Sequence, residues 1–215
     1  ERPATDEERL GRSLALPDAT ESCRAVSQRA TQTLKWAEQN KAALLTVALD
    51  HLTLGRAALY EAVLTSASFL LNTEHRTLKT SVDSAVSGLR RAGTTHHIPR
   101  GLLTRAWLRS LTGAWTGPES AQSDLDEAWE IAERGPMPLF MADVCLHRAR
   151  IFGVRNSECG VRNAEEKYPW ESVKQDLAEA RRLIEKHGYG RRLEELKDAE
   201  AALLGVPVGG ATGLR

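Results

Sequence analysis

The sequence predicts an all-α fold in which helical hairpins stack side by side, and three observations predict it. Aromatic residues make up 5% of the 215 residues, while Ala, Leu, Arg and Glu dominate, a composition that favours helices and leaves few candidate strands. The stretch Ala121 to Gly135, AQSDLDEAWEIAERG, sets Leu125, Ala128, Trp129 and Ala132 at steps of three and four, one buried stripe on a helix. The same pattern returns three more times. With the second helices of successive pairs superposed, Thr33, Ala85, Ala128 and Ala180 coincide. Intervals of 43 to 52 residues mark a solenoid whose hairpins cannot bury their apolar faces without a neighbour.

Taken in order, residues 1 to 19 mix charge with Pro3, Gly11 and Pro17 and read as a weakly ordered lead-in. Thr20 caps a helix from Glu21 to about Gln39, with Val26, Ala30, Thr33, Leu34 and Ala37 along one side. A second helix runs from Ala42 to about Tyr60, a polar insertion from Glu61 to Arg76, and a third helix from Thr77 to Ala92, closed by Gly93. The linker TTHHIP leads to a helix over Arg100 to Thr112, and Gly113, Gly117 and Pro118 turn the chain into the helix over 121 to 134. Gly135 is expected to end that helix in the left-handed conformation, with Pro136 and Pro138 preventing its resumption. A helix from Pro138 to Gly153 follows, then a loop-like insertion, Val154 to Pro169, that Trp170 is placed to anchor. WESVKQDLAEARRLIEKHG repeats the 121–135 pattern and stops at Gly188. The last helix, Arg191 to Leu204, covers one end of the stack through Leu193, Leu196, Ala199 and Leu203, before a glycine-rich tail over 205 to 215. The repeat domain thus spans residues 20 to 204. The opening helix is covered by little, so self-association through that uncapped end is expected.

With 29 basic against 29 acidic residues, no global field draws the chain to nucleic acid or to an anionic membrane. Cys23, Cys145 and Cys159 stand at unrelated spacings, the usage of a reducing compartment rather than of a disulfide framework. No apolar run approaches the ~20 residues needed to cross a bilayer, and no signal peptide opens the chain. A cytoplasmic location is expected. The chain begins at Glu1 rather than Met, as a piece of a longer protein would.

Phosphate-cradling, dinucleotide, zinc-protease and hydrolase motifs are absent from the sequence, so no enzymatic activity or cofactor is expected; the remaining enzymatic alternative is a groove site without a linear motif. His96 and His97 are adjacent and point to different sides, which suits capping or packing better than one metal ion. Cys145 and His147, two apart on a helix, cannot converge on an ion either, and no metal site is expected. Asp124, Asp126 and Glu127 read as a solvated acidic surface. Superposing the first helices aligns TLGR, TRAW and HRAR, with Gly55, Ala106 and Ala149 as the small residue that lets the helices of a hairpin approach. Since first helices line the concave wall of such an array, the candidate ligand-binding residues are Thr53, Arg56 and Tyr60, then Thr104, Trp107 and Leu111, then His147, Arg150 and Val154. This strip would fork onto carboxylates or phosphates and stack on a ring or an aliphatic side chain. The alternative is that Arg56 and Arg150 pair with neighbouring acids while Trp107 fills the groove core. Arg105, Arg109 and Arg148 are expected at the partner-helix rim or in solvent. The two insertions form either a lip over the groove or plain surface excursions.

Leu54 and Gly55 followed by Ala85, and Ala106, Gly113 and Trp115 followed by Ala121, Leu125 and Ala128, resemble the small-and-large signature of the tetratricopeptide repeat. The resemblance covers residues 20 to 204 and implies a right-handed superhelix of antiparallel helix pairs whose concave face holds a protein or peptide, here an acidic one. These units are longer than the family's ~34 residues, with the excess between the two helices of a pair. HHIPRGLLTRAWLR, DLDEAWEIAERGPMPLFMADVCLHRARIF and LIEKHGYGRR are also similar to repeat regions attached to large bacterial signalling nucleotidases of the NACHT or AP-ATPase type. That similarity implies a sensor or autoregulatory role as the alternative to a scaffold.

Overall fold

The computed structural model describes residues 16–65, 73–153 and 168–205, and these form helices and connecting turns without a strand. The protein is all-α. Its contacts divide it into two compact units, Glu1–Gly93 and Thr94–Arg215.

The first unit holds α1 (Leu16–Gln39), α2 (Leu44–Leu64) and α3 (Thr73–Arg91), with α2 packed against both of the others. α1 starts at Leu16 rather than Glu21, because Pro17 falls in the first turn, where its missing N–H costs nothing. Ala30 and Ala37 carry its burial. Thr33, expected at the buried landmark, is exposed, and its hydroxyl donates to the Ala30 carbonyl at 3.1 Å and to Asp50 at 3.3 Å. On α3 the stripe is complete: Leu78, Val82, Ala85, Val86 and Leu89 are all buried. Gly55 does what its alignment predicts, for a Cβ there would stand 2.7 Å from Val82 Cγ2; at Gly88 it would stand 2.8 Å from Ala48 Cβ. Both ends of the insertion expected over 61–76 are helix, since α2 continues to Leu64 and α3 begins at Thr73; residues 66–72 lie outside the described residues. Glu61 faces α1 and receives Arg24 Nε at 2.6 Å. Gly93 closes the unit at φ +68°, the conformation expected of it.

The second unit opens on a 3₁₀ turn, Thr95–His97, and continues with α4 (Ile98–Leu111), α5 (Ala121–Arg134), α6 (Pro138–Arg148), α7 (Val173–His187) and α8 (Arg192–Leu204). α6 passes into a π-helical turn, Ala149–Gly153. Ser120 caps α5 by accepting from the Ser123 N–H at 3.1 Å, while Ser123 Oγ accepts from the Ser120 N–H at 3.3 Å. Ser172 caps α7 in the same way through Gln175. Gly188 ends α7 in the left-handed conformation. Gly135 does not: its φ is −92°, and its missing Cβ makes room for the side chain of Met137 instead.

α4 packs on α5 and α6, α6 on α5, α7 and α8, and α7 on α8. The core joins Ala142, Cys145, Leu146 and Ala149 of α6, Leu177, Ala180, Leu183 and Ile184 of α7, and Leu196 and Ala199 of α8, with Leu193 and Leu203 against it. Gly153 allows the junction to close, since a Cβ there would meet Leu203 at 3.1 Å and Val173 at 3.2 Å. α8 leaves Glu194, Lys197 and Asp198 exposed, and also Ala202 and Leu204 near its end. Most of the expected lead-in (residues 1–15), the insertion over 154–167 with Cys159, and the tail over 206–215 lie outside the described residues.

Candidate ligand-binding faces

The residues expected to bind a ligand fall into different environments. In the first unit Thr53 is exposed, its hydroxyl turned back onto the Leu49 carbonyl at 2.9 Å, and Arg56 is half-buried. Tyr60 is 46% exposed, and Val63, one turn further on, 43%. In the second unit Leu111, which aligns with Tyr60, is 38% exposed, and Trp107 is half-buried. Thr104 faces no ligand: it is buried, and its hydroxyl donates to the Arg100 carbonyl at 2.9 Å. His147 holds Nδ1 2.8 Å from the Asp143 carbonyl oxygen. Arg150 donates to the Glu195 carbonyl at 2.7 Å and to Glu195 Oε2 at 3.4 Å, the acid pairing that stood as its alternative role. Val154 lies outside the described residues.

Side chains that looked like surface turn out to be interior. Asp124 is 1% exposed, not part of a solvated cluster, and it receives Arg105 at 2.6 Å and Arg109 at 2.9 Å. Asp176 is also buried and accepts from the Tyr168 hydroxyl. Burial raises the Asp176 carboxyl above its ordinary value, with Tyr168 and Arg148 opposing the rise. The Cys145 thiol is pushed up by burial and then by Asp176, which makes it an inert small hydrophobe. A regularity in the sequence marks these sites. Ser81, Asp124 and Asp176 each stand four residues before a landmark alanine, and all three are buried. Arg105 and Arg148 each precede the small residue of a first helix, Ala106 and Ala149.

Arg148, expected at a rim or in solvent, is 8% exposed. Its guanidinium lies 5.1 Å from the Trp129 ring centroid and 4.5 Å from that of Trp170, and Nη2 donates to Asp126 at 3.1 Å. Trp170 donates its indole N–H to the same carboxylate at 2.7 Å, so it anchors the chain re-entering α7 as the sequence suggested. Phe152, in the π turn, sets its ring edge-on to Trp170 at 5.0 Å and to Trp115 at 5.7 Å.

In the first unit an open groove runs between α2 and α3, lined by Val47, His51, Asp83, Ser87 and Arg91 over a floor of Ala48 and Gly88. Looking only at first helices missed it, since half of its wall belongs to a second helix. The His96 and His97 rings lie 4.2 Å apart, tilted by 44°, and among the described residues no group of three or more His, Cys, Asp or Glu is arranged to hold a metal ion. No described helix is long and apolar enough to cross a membrane.

These features define an all-α protein in which Asp124 is buried against Arg105 and Arg109. No protein-family model, curated protein or solved structure matches the chain.

Proposed function

We propose that this chain is a binding module built from tetratricopeptide-like helical hairpins, and that it holds a protein or peptide segment on the faces of its first helices. The order of contacts supports the repeat reading. Between α2 and α3, Gly55 meets Val82 and Ala48 meets Gly88, residue numbers that run in opposite senses, as in antiparallel partners. Arg105 with Asp124 and Arg109 with the Ser120 carbonyl give α4 and α5 the same sense. Asp143 with Arg192 and Arg150 with Glu195 run in one direction along α6 and α8, as successive first helices of an array do.

The observation that carries the functional reading is the exposure of Tyr60 and Leu111. These large apolar side chains occupy one aligned position in two units. A ligand segment that covers such a position gains apolar burial there. Selection from a random dodecapeptide display library on the immobilised chain tests this. Peptides should be retained by the wild type and lose about tenfold in affinity when Tyr60→Ser or Leu111→Ser is introduced. Peptides bound equally by wild type and both variants would move the site elsewhere.

A further inference from the structure

We infer that the groove between α2 and α3 is a second site, distinct from the Tyr60 and Leu111 positions, and that it takes a small aliphatic monocarboxylate. The register of the two helices builds it. Gly55 packs on Val82 and Ala48 on Gly88, so His51 falls opposite the interval from Ser84 to Ser87, and Arg91 opposite that from Leu44 to Val47. Ser84, Ser87 and Arg91 follow at steps of three and four, one stripe of hydrogen-bond donors along α3. Leu44 and Val47 make the facing wall on α2 apolar. The small residues Ala48 and Gly88 keep the floor between the walls low. The space measures about 440 Å³, the size of a small-molecule pocket.

The unmatched groups in this groove identify its occupant. His51 Nδ1 is buried without a hydrogen-bond partner. Among the described residues nothing bonds the Ser84 and Ser87 hydroxyls or pairs with the Arg91 guanidinium. Donors in surplus over acceptors call for an oxyanion. One guanidinium matches one negative charge, whereas a dianion would leave a charge unmatched, with Asp83 of the same groove as its next charged neighbour. Asp83 stands about 12 Å along the helix axis from Arg91, so a carboxylate seated at Arg91 is largely screened from it. The apolar α2 wall then covers a short hydrocarbon body. Because His51 Nδ1 meets no carboxylate, Ser87, His51 and Asp83 do not form the oriented triad of a nucleophilic enzyme, and the chemistry assigned to the groove is binding.

The test is titration of the full chain at neutral pH with hexanoate, hexan-1-ol and inorganic phosphate, followed by calorimetry and by the His51 ring resonances. Hexanoate should saturate with a Kd of about 1 mM or below and move the His51 signals along the same curve. Hexan-1-ol, which lacks the charge, and phosphate, which lacks the hydrocarbon, should each bind about tenfold or more weakly. Arg91→Gln, verified as folded by circular dichroism, should weaken hexanoate about tenfold. Lys79→Gln removes the same charge from an exposed position of α3 outside the groove and should change affinity by less than about twofold. No saturation by about 20 mM hexanoate, hexan-1-ol or phosphate binding as tightly as hexanoate, or Arg91→Gln binding like the wild type overturns the inference. Peptides retained through Tyr60 and Leu111 would be unaffected by any of these results, so the two sites fail separately.

Discussion

Asp124 shows how much one side chain decides in this protein. It lies on the stripe of Ala121, Leu125, Ala128 and Ala132, all buried, so folding carries a carboxylate into the interior and two guanidiniums with it. Asp124→Ala would leave Arg105 and Arg109 facing each other without their counter-charge. The loss should be about 3 to 5 kcal/mol, larger than an exposed pair supplies, and urea denaturation measures it. Asp176 gives a pH signature. Its carboxyl is raised by burial, so its contribution to stability is fully present below its ordinary value of 3.8 and is lost as pH rises through the folded-state value. Asp176→Asn removes that loss. The melting temperature of the variant minus that of the wild type should therefore increase as pH climbs above 3.8, and a difference that stays constant from pH 3 to 7 would rule the effect out. Asp124 was legible as a buried position from its spacing, yet its residue type argued for surface. Only the approach of Arg105 and Arg109 from α4 makes its burial tolerable.

At the scale of elements, the helix pairs are held together where side chains are smallest. Gly55→Ala sets a new Cβ against Val82 Cγ2, a side-chain atom, while Gly88→Ala sets it against the Cβ of Ala48, with Ala48 Cα 3.4 Å away. A valine rotor can give way, whereas an alanine moves only with its helix. Both substitutions should destabilise by roughly 1 to 3 kcal/mol in spite of alanine's better helix propensity, and Gly88→Ala should be the worse of the two in thermal denaturation. The helices themselves were readable because their apolar periodicity is local, and Gly93 and Gly188 stop where their sequence says. Helix ends were less so. The segment over 61–76 reads as polar, yet four residues of it extend α2 and α3 starts at Thr73, because alanine, leucine and glutamate prolong a helix that packing already holds.

The chain divides into two compact units. The second draws its core from α6, α7 and α8 and fastens α4 to α5 through Asp124 and α5 to α6 through Asp126. A fragment of residues 94–215 should accordingly retain a helical circular dichroism spectrum and unfold cooperatively; a non-cooperative melt would show that this core needs residues 1–93. Composition and periodicity alone determined that the protein is all-α, where most of its helices lie, and that Gly55, Ala85, Ala128 and Ala180 are interior, since these follow from interactions between residues three or four apart. Tertiary structure decided which charges are buried and which are bare. Arg148 between two indoles, Arg150 taken by Glu195 and Thr104 turned inward all depend on partners more than twenty residues away or on a neighbouring helix, and no local pattern specifies what a side chain will meet there.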